Sequence, residues 1–270
     1  MKKLLFIFVF IFVGCSRDIP TPVQRLESAQ NIANPLQSKV FYTAIFNIFS
    51  YEDTPTCKEV MSVYIEGDGF SWITSSRLSN NPTPINPVAL KLMSKDTSTC
   101  KVYLARPCQF IQNKMCNNSY WSSHRFSNEV IQSYMEVLDI LQKQYKLKNF
   151  KLYGFSGGGA IATLLSAKRN DIKQLVTIAG NLDIEFWVKQ HHLTPLHGSL
   201  NPASFSKELS NVKQFHLIGS KDKIIDKSIY DSYIKNFKNK ENITYKVFEE
   251  FDHSCCWQKN WRTILKETIK

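Results

Sequence analysis

Short runs of apolar, β-branched and aromatic residues recur along the chain at about 40–49, 60–66, 100–105, 149–155, 173–179, 213–219 and 243–249. Each has the length and composition of a strand. Between the later runs the period changes from two to nearly four. Over 127–147, Val130, Ile131, Tyr134, Val137, Leu138 and Leu141 repeat at helical spacing, and Ser127 is placed to cap them. Further helices are expected near 158–168, 226–237 and 257–268. Strands alternating with helices through the second half predict βαβ units and an α/β fold with a mainly parallel sheet. The first strands have less helix between them and suit an antiparallel edge. Two long connections, 68–98 and 181–211, break the rhythm, and connections of that length in a compact domain are often functional.

The N-terminus follows a different pattern. Lys2 and Lys3 precede an unbroken apolar run from Leu4 to Val13, followed by Gly14-Cys15-Ser16. Ten such residues make a helix of about 15 Å, half the hydrocarbon thickness of a bilayer, so the run predicts a secretory signal rather than a membrane span. Phe12-Val13-Gly14-Cys15 resembles the lipobox of bacterial lipoproteins. That resemblance implies cleavage after residue 14, lipidation of Cys15 and anchoring to a membrane of the cell envelope. The plain alternative is an ordinary signal peptide that happens to end near a cysteine. Ser16, with no aspartate beside the modified cysteine, favours the outer membrane or the periplasmic face. Residues 15–37, with Pro20, Pro22 and Pro35, are expected to form the lipidated N-terminus and a tether. The folded domain is expected at 38–270.

Composition adds modestly to this picture. A chain of 270 residues with 43% hydrophobic content can build one good-sized core. The formal charge of +11 is spread over scattered lysines, as at Lys221, Lys223 and Lys235–Lys240, and suits an anionic lipid or polysaccharide. Drift in base composition would give the same lysines. No arginine-rich stretch or nucleic-acid module occurs, so no nucleic-acid partner is expected. Besides Cys15 there are six cysteines, an even number that favours disulfides in an exported protein. Cys108 and Cys116 are the easiest pair. Cys57, Cys100, Cys255 and Cys256 stay unassigned, with the adjacent Cys255 and Cys256 expected to use different partners. No CxxC spacing supports zinc, and no metal is expected.

The chemistry centres on Gly154-Phe155-Ser156-Gly157-Gly158-Gly159, which follows the strand ending at Phe155 and opens the helix at 158. This is G-x-S-x-G in a strand–turn–helix context, where a sharp turn lifts the serine out for attack. Four of the ten glycines fall within these six positions, which argues against a chance match. A flexible glycine-rich turn or a phosphate loop would be the plain reading, but G-x-G-x-x-G and the P-loop lysine are both absent.

A serine hydroxyl needs a base, and the base needs an orienting carboxylate. Of six histidines, His253 lies in the loop after the last predicted strand, whereas His124 precedes the serine and His216 lies inside a strand. Asp222, a few residues past the strand at 214–218, is the acid of choice, with Asp226 and Asp183 as rivals. A turn or cap aspartate would explain any one of them. An oxyanion needs two backbone donors. The N–H of Gly157 is one, and the second is expected at Asp68 in Glu66-Gly67-Asp68-Gly69, whose carboxylate must then turn away from the developing charge.

With these residues in place the chain resembles the α/β-hydrolase superfamily from about residue 38 to the C-terminus. The resemblance implies an α/β-hydrolase fold with a mainly parallel sheet flanked by helices and a small or absent cap. Residues of 181–211, among them Trp187, His191, His192, His197 and Ser199, would form a small lid. It implies hydrolysis of an ester or related acyl bond through acyl-Ser156, with no cofactor and a small-molecule or lipid-like acyl substrate. A peptidase of the same fold, or a non-catalytic surface lipoprotein using the fold for binding, are the alternatives. The sequence is silent on acyl-chain preference and oligomeric state.

Overall fold

A computed structural model describes residues 19–267 and residue 269. The expected signal at 1–14, the lipidation site Cys15 and residues 16–18 lie outside the described residues. In chain order the elements are α1 (Pro22–Ala33), β1 (Ser38–Tyr42), β2 (Asn47–Asp53), β3 (Val60–Ile65), α2 (Val88–Met93), β4 (Lys101–Leu104), α3 (Asn128–Tyr145), β5 (Asn149–Phe155), α4 (Gly157–Lys168), β6 (Ile172–Ile178), α5 (Ile184–Gln190), α6 (Ser206–Leu209), β7 (Gln214–Gly219), α7 (Lys227–Ile234), β8 (Ile243–Phe248) and α8 (Trp257–Glu267).

The strands form one eight-stranded sheet in the order β1-β2-β4-β3-β5-β6-β7-β8. β2 runs antiparallel to both β1 and β4, and every other pairing is parallel. This is the α/β-hydrolase arrangement. The parallel strands are apolar on both faces because helices cover both faces. On β3, Met61, Val63 and Ile65 join the core beneath α3 and α4, while Tyr64 points to the opposite core. The same alternation places Tyr51, Tyr103, Tyr64 and Tyr153 in register across four adjacent strands. Tyr64 and Tyr153 stack at 4.7 Å between ring centroids, and Trp261 of α8 donates to the Tyr64 hydroxyl at 3.2 Å. Trp257, Trp261 and Ile264, at i, i+4 and i+7, seat α8 on that face.

Three expectations are corrected. The single strand at 40–49 is two, because Thr43 turns the chain: its hydroxyl donates to the Phe46 carbonyl at 2.6 Å and accepts from the Phe46 N–H at 3.2 Å. Residues 22–33, expected as tether, are the helix α1. Thr21 and Gln24 close a capping box, and Pro22 sits at the first position, where its missing N–H costs nothing. The helix docks through Ala29, Ala33 and the buried Arg25, whose guanidinium donates to the Thr83 carbonyl at 2.6 Å. Finally, Cys255 and Cys256 bond to each other instead of using different partners. Cys57 pairs with Cys100 and Cys108 with Cys116, so four sulfurs are consumed around β4. The remaining two sit in the turn before α8, where the backbone of Cys256 at φ 95° brings neighbouring side chains together.

Loop-closure entropy ranks two of these bridges. Cys57–Cys100 spans 43 residues and Cys108–Cys116 spans 8. Removing them as alanine pairs is expected to cost about 4 and about 2.5 kcal/mol respectively. Urea unfolding under oxidising conditions measures this, and an equal cost for both would show that loop length is not what they act through.

Candidate active site

The loops at the C-terminal ends of the parallel strands converge on Ser156, between β5 and α4. Its backbone sits at φ 52° and ψ −120°, a conformation side chains rarely adopt. The surroundings hold it there. Its N–H donates to the Ile178 carbonyl at 2.9 Å, and its carbonyl accepts from Gly159 at 2.9 Å and Asn181 at 3.2 Å. Gly158 explains the motif, because a Cβ there would stand 2.3 Å from the Ile65 carbonyl oxygen, at the end of β3. Only glycine lets the elbow come this close to the loop at 66–69.

His253 lies in the turn between β8 and α8. Its Nε2 is 3.0 Å from Ser156 Oγ, and its Nδ1 is 2.8 Å from Asp222 Oδ2. The Asp222 side chain is fully buried, and its other oxygen accepts from the Ile224 and Ile225 N–H groups at 2.8 and 2.9 Å. A carboxylate can only accept, so the imidazole proton belongs on Nδ1 and Nε2 is left to accept from the serine hydroxyl. The loops are tied to each other, with Lys221 N–H donating to the Phe251 carbonyl at 2.9 Å. The rivals of Asp222 are spent elsewhere. Asp183 caps α5 and accepts from Asn201 and Ser232. Asp226 caps α7 and accepts from Gln190.

Asp68 lies against Gly157, where a Cβ would meet Asp68 Oδ1 at 2.2 Å. Its carboxylate is held by two guanidiniums, Arg106 at 2.8 Å and Arg125 at 2.7 Å. Burial acts to raise this carboxyl, but Arg125 and Arg106 outweigh it and hold it below the usual range. The side chain is thereby kept ionised and occupied by its two partners. Two cations and one anion leave a net positive charge there. Gln109 donates to the Gly67 carbonyl at 3.0 Å and pins the same loop.

Sequence reasoning missed Arg106, Arg125 and Gln109. Arg106 carried a signal, being one of only seven arginines in a lysine-rich chain and standing directly after the strand expected at 100–105. Arg125 and Gln109 come from irregular loops and carried none. His216, set aside as a strand residue, is bonded between Thr177 and Gln214, and burial pushes its imidazole down to about 3. Of the expected lid, Trp187 lines the cavity over Ser156, whereas Ser199 instead ties residue 126 to residue 123. That cavity measures about 840 Å³ and its walls are mainly apolar, with Phe70, Leu78, Val88, Phe155, Trp187 and Leu196 among them. Among the described residues no group of three or more His, Cys, Asp or Glu side chains could hold a metal ion.

Glu66, the buried neighbour of this loop, has another task. It accepts from Gly67 N–H at 3.0 Å and from Ala89 and Leu90 N–H at 3.3 and 3.5 Å, capping α2, whose own N-cap residue is Pro87. Burial drives its carboxyl up to about 7, and those three donors together with the Tyr103 hydroxyl only partly offset it. The folded state therefore holds this proton more tightly than the unfolded chain. Its contribution is greatest below about 4.5 and is lost as the pH rises towards 7. Relative to Glu66→Gln, the wild type is expected to lose on the order of 3 kcal/mol of stability across that window. Denaturant titrations at a series of pH values measure it, and parallel curves for the two proteins would refute the assignment.

A family model described as Serine hydrolase (FSH1) matches residues 40–254. Among solved structures the chain is similar to the Pyrococcus furiosus esterase Pf2001, 13% identical over 88% of this chain and 92% of that one, with a TM-score of 0.62. It is also similar to Est1E from Butyrivibrio proteoclasticus, at 13% identity, 85% and 96% coverage and a TM-score of 0.59. An alpha-beta serine hydrolase homologue from Coxiella burnetii gives 11%, 85%, 94% and 0.60 on the same measures. Likeness at these identities is a likeness of fold. No protein of curated description matches the chain.

Proposed function

The chain belongs to the FSH1 serine hydrolase family, and on that premise we propose that it cleaves a carboxylic ester or related acyl bond through an acyl-Ser156 intermediate. The observation that carries the reading is the chain of contacts from Ser156 through His253 to Asp222, at 3.0 and 2.8 Å. His253 Nε2 takes the hydroxyl proton as Ser156 Oγ attacks the acyl carbonyl, and Asp222 holds the imidazole in the useful tautomer and stabilises its positive charge. The N–H groups of Gly157 and Asp68 receive the oxyanion, aided by the dipole at the start of α4 and by the net charge of the Asp68–Arg106–Arg125 cluster. His253 then gives its proton to the leaving alcohol. A water molecule activated by the same imidazole attacks the acyl carbonyl and returns the serine. The apolar cavity suits an acyl chain, and the fold-level neighbours include an esterase.

We further propose that the enzyme is exported and anchored through Cys15 at the bacterial cell envelope. Lys2, Lys3 and the apolar run to Val13 support this, and three disulfides suit an oxidising compartment. Cys15→Ala is then expected to move the protein from the membrane fraction to the soluble fraction of cells, and unchanged fractionation would oppose the anchor.

A fluorophosphonate probe tests the chemistry. Wild-type protein should be labelled and Ser156→Ala unlabelled, while Asp222→Asn should lose on the order of 10⁴-fold in kcat on 4-nitrophenyl esters. Wild-type protein that resists the probe would sink the proposal. Peptide cleavage with inactivity on every ester would replace it with a peptidase.

A further inference from the structure

Ten large apolar side chains stand exposed among the described residues, and four of them, Trp72, Ile85, Leu193 and Ile224, line the cavity over Ser156 where it opens to solvent. Their exposures of 41, 42, 44 and 49% show that roughly half of each faces outward. They come from three separate segments, so no one loop explains the clustering. Scattered surface apolar residues need no explanation, but a ring of them around a binding cavity marks a surface that meets something apolar. Tryptophan at such a rim is also the residue best suited to a boundary between water and hydrocarbon.

Charge selects the occupant. The segment from Trp72 to Lys91 contains Arg77 and Lys91 and no acidic residue, and the segment from Phe186 to Phe205 contains Lys189 and none. Around Ile224 stand Lys221, Lys223 and Lys227, of which Lys221 pairs with Glu250 and Lys227 with Asp231. The two acids there are occupied, Asp222 with His253 and Asp226 with the start of α7. An apolar rim flanked by Arg77, Lys91, Lys189 and Lys223 complements a bilayer that carries anionic headgroups. A flat protein partner on the same rim would seal the route to Ser156. A lipid surface would instead feed acyl chains into it.

We propose that the cavity mouth is an interfacial docking surface for anionic lipid, and that the enzyme draws its acyl substrate from that surface rather than from solution. This deepens the hydrolase reading and rests on it for the word substrate, though the docking itself does not require catalysis.

The test separates the two. Full-length Ser156→Ala protein is mixed with vesicles of bromine-labelled phosphatidylcholine, with and without phosphatidylglycerol. Tryptophan quenching is expected with the anionic vesicles, and most of it should vanish in Trp72→Phe. Replacing Arg77 and Lys189 by glutamine, two residues outside the cavity lining, should weaken partitioning on the order of thirty-fold. In the active protein those two changes should leave hydrolysis of soluble 4-nitrophenyl acetate within about two-fold, the range of ordinary surface substitutions, while reducing hydrolysis of the same bond in anionic vesicles by about the loss in partitioning. Trp72 left unquenched overturns the proposal, even if the chain sediments with vesicles through its N-terminus. Quenching by neutral and anionic vesicles alike overturns the anionic requirement. If Trp72 is quenched but wild type hydrolyses no ester, the hydrolase reading fails and the docking surface stands.

Discussion

The site depends on the close approach of two strand ends. β3 and β5 are neighbours in the sheet, and beyond their last paired residues, Ile65 and Gly154, both chains must turn out of the same narrow space. Gly158 makes that possible by leaving room for the Ile65 carbonyl. The elbow that lifts Ser156 and the loop that carries Asp68 are therefore one packed unit rather than two loops that happen to meet. A side chain at Gly158 would push the elbow at Ser156 away from the carbonyls of Ile65 and Glu66. The positive φ of Ser156 persists for the same reason, since the backbone bonds to Ile178, Gly159 and Asn181 leave it no alternative.

That unit brings two carboxylates within two residues of each other and treats them oppositely. Glu66 is buried among neutral donors, three backbone N–H groups and the Tyr103 hydroxyl, and is pushed up, whereas Asp68 meets two guanidiniums and is held down. The difference follows from what each loop can supply. α2 is short and offers dipole and N–H groups, while residues 106 and 125 deliver full charges. The ionised Asp68 is more than neutralised by its partners.

Much of this was legible from residues alone, and the boundary falls along a physical line. The strands, α3, α4, α7 and α8 announce themselves by period, and Ser156, Asp222 and His253 by their order relative to those strands, because parallel strand ends are where this fold gathers side chains. What stayed hidden depends on contacts between distant irregular segments. Asp222 could be preferred over Asp183 and Asp226, but only the caps of α5 and α7 show where the rivals are used. Arg125 clasps Asp68 from 57 residues away with no periodic pattern to point there. The self-pairing of Cys255 and Cys256 turns on one backbone angle that a sequence does not display.

The reacting groups stand on strand ends, but the walls that choose a substrate are built from loops, and those loops are fastened by unlike means. Trp121 donates to the Ser79 carbonyl at 2.9 Å, and Trp187 donates to the Ile224 carbonyl at 2.9 Å, linking α5 to the loop of Asp222. Arg25 of α1 holds the carbonyl of Thr83 beside Pro84 and Ile85, which face the cavity. The stretch whose prolines suggested a mere tether therefore supports one wall of the pocket.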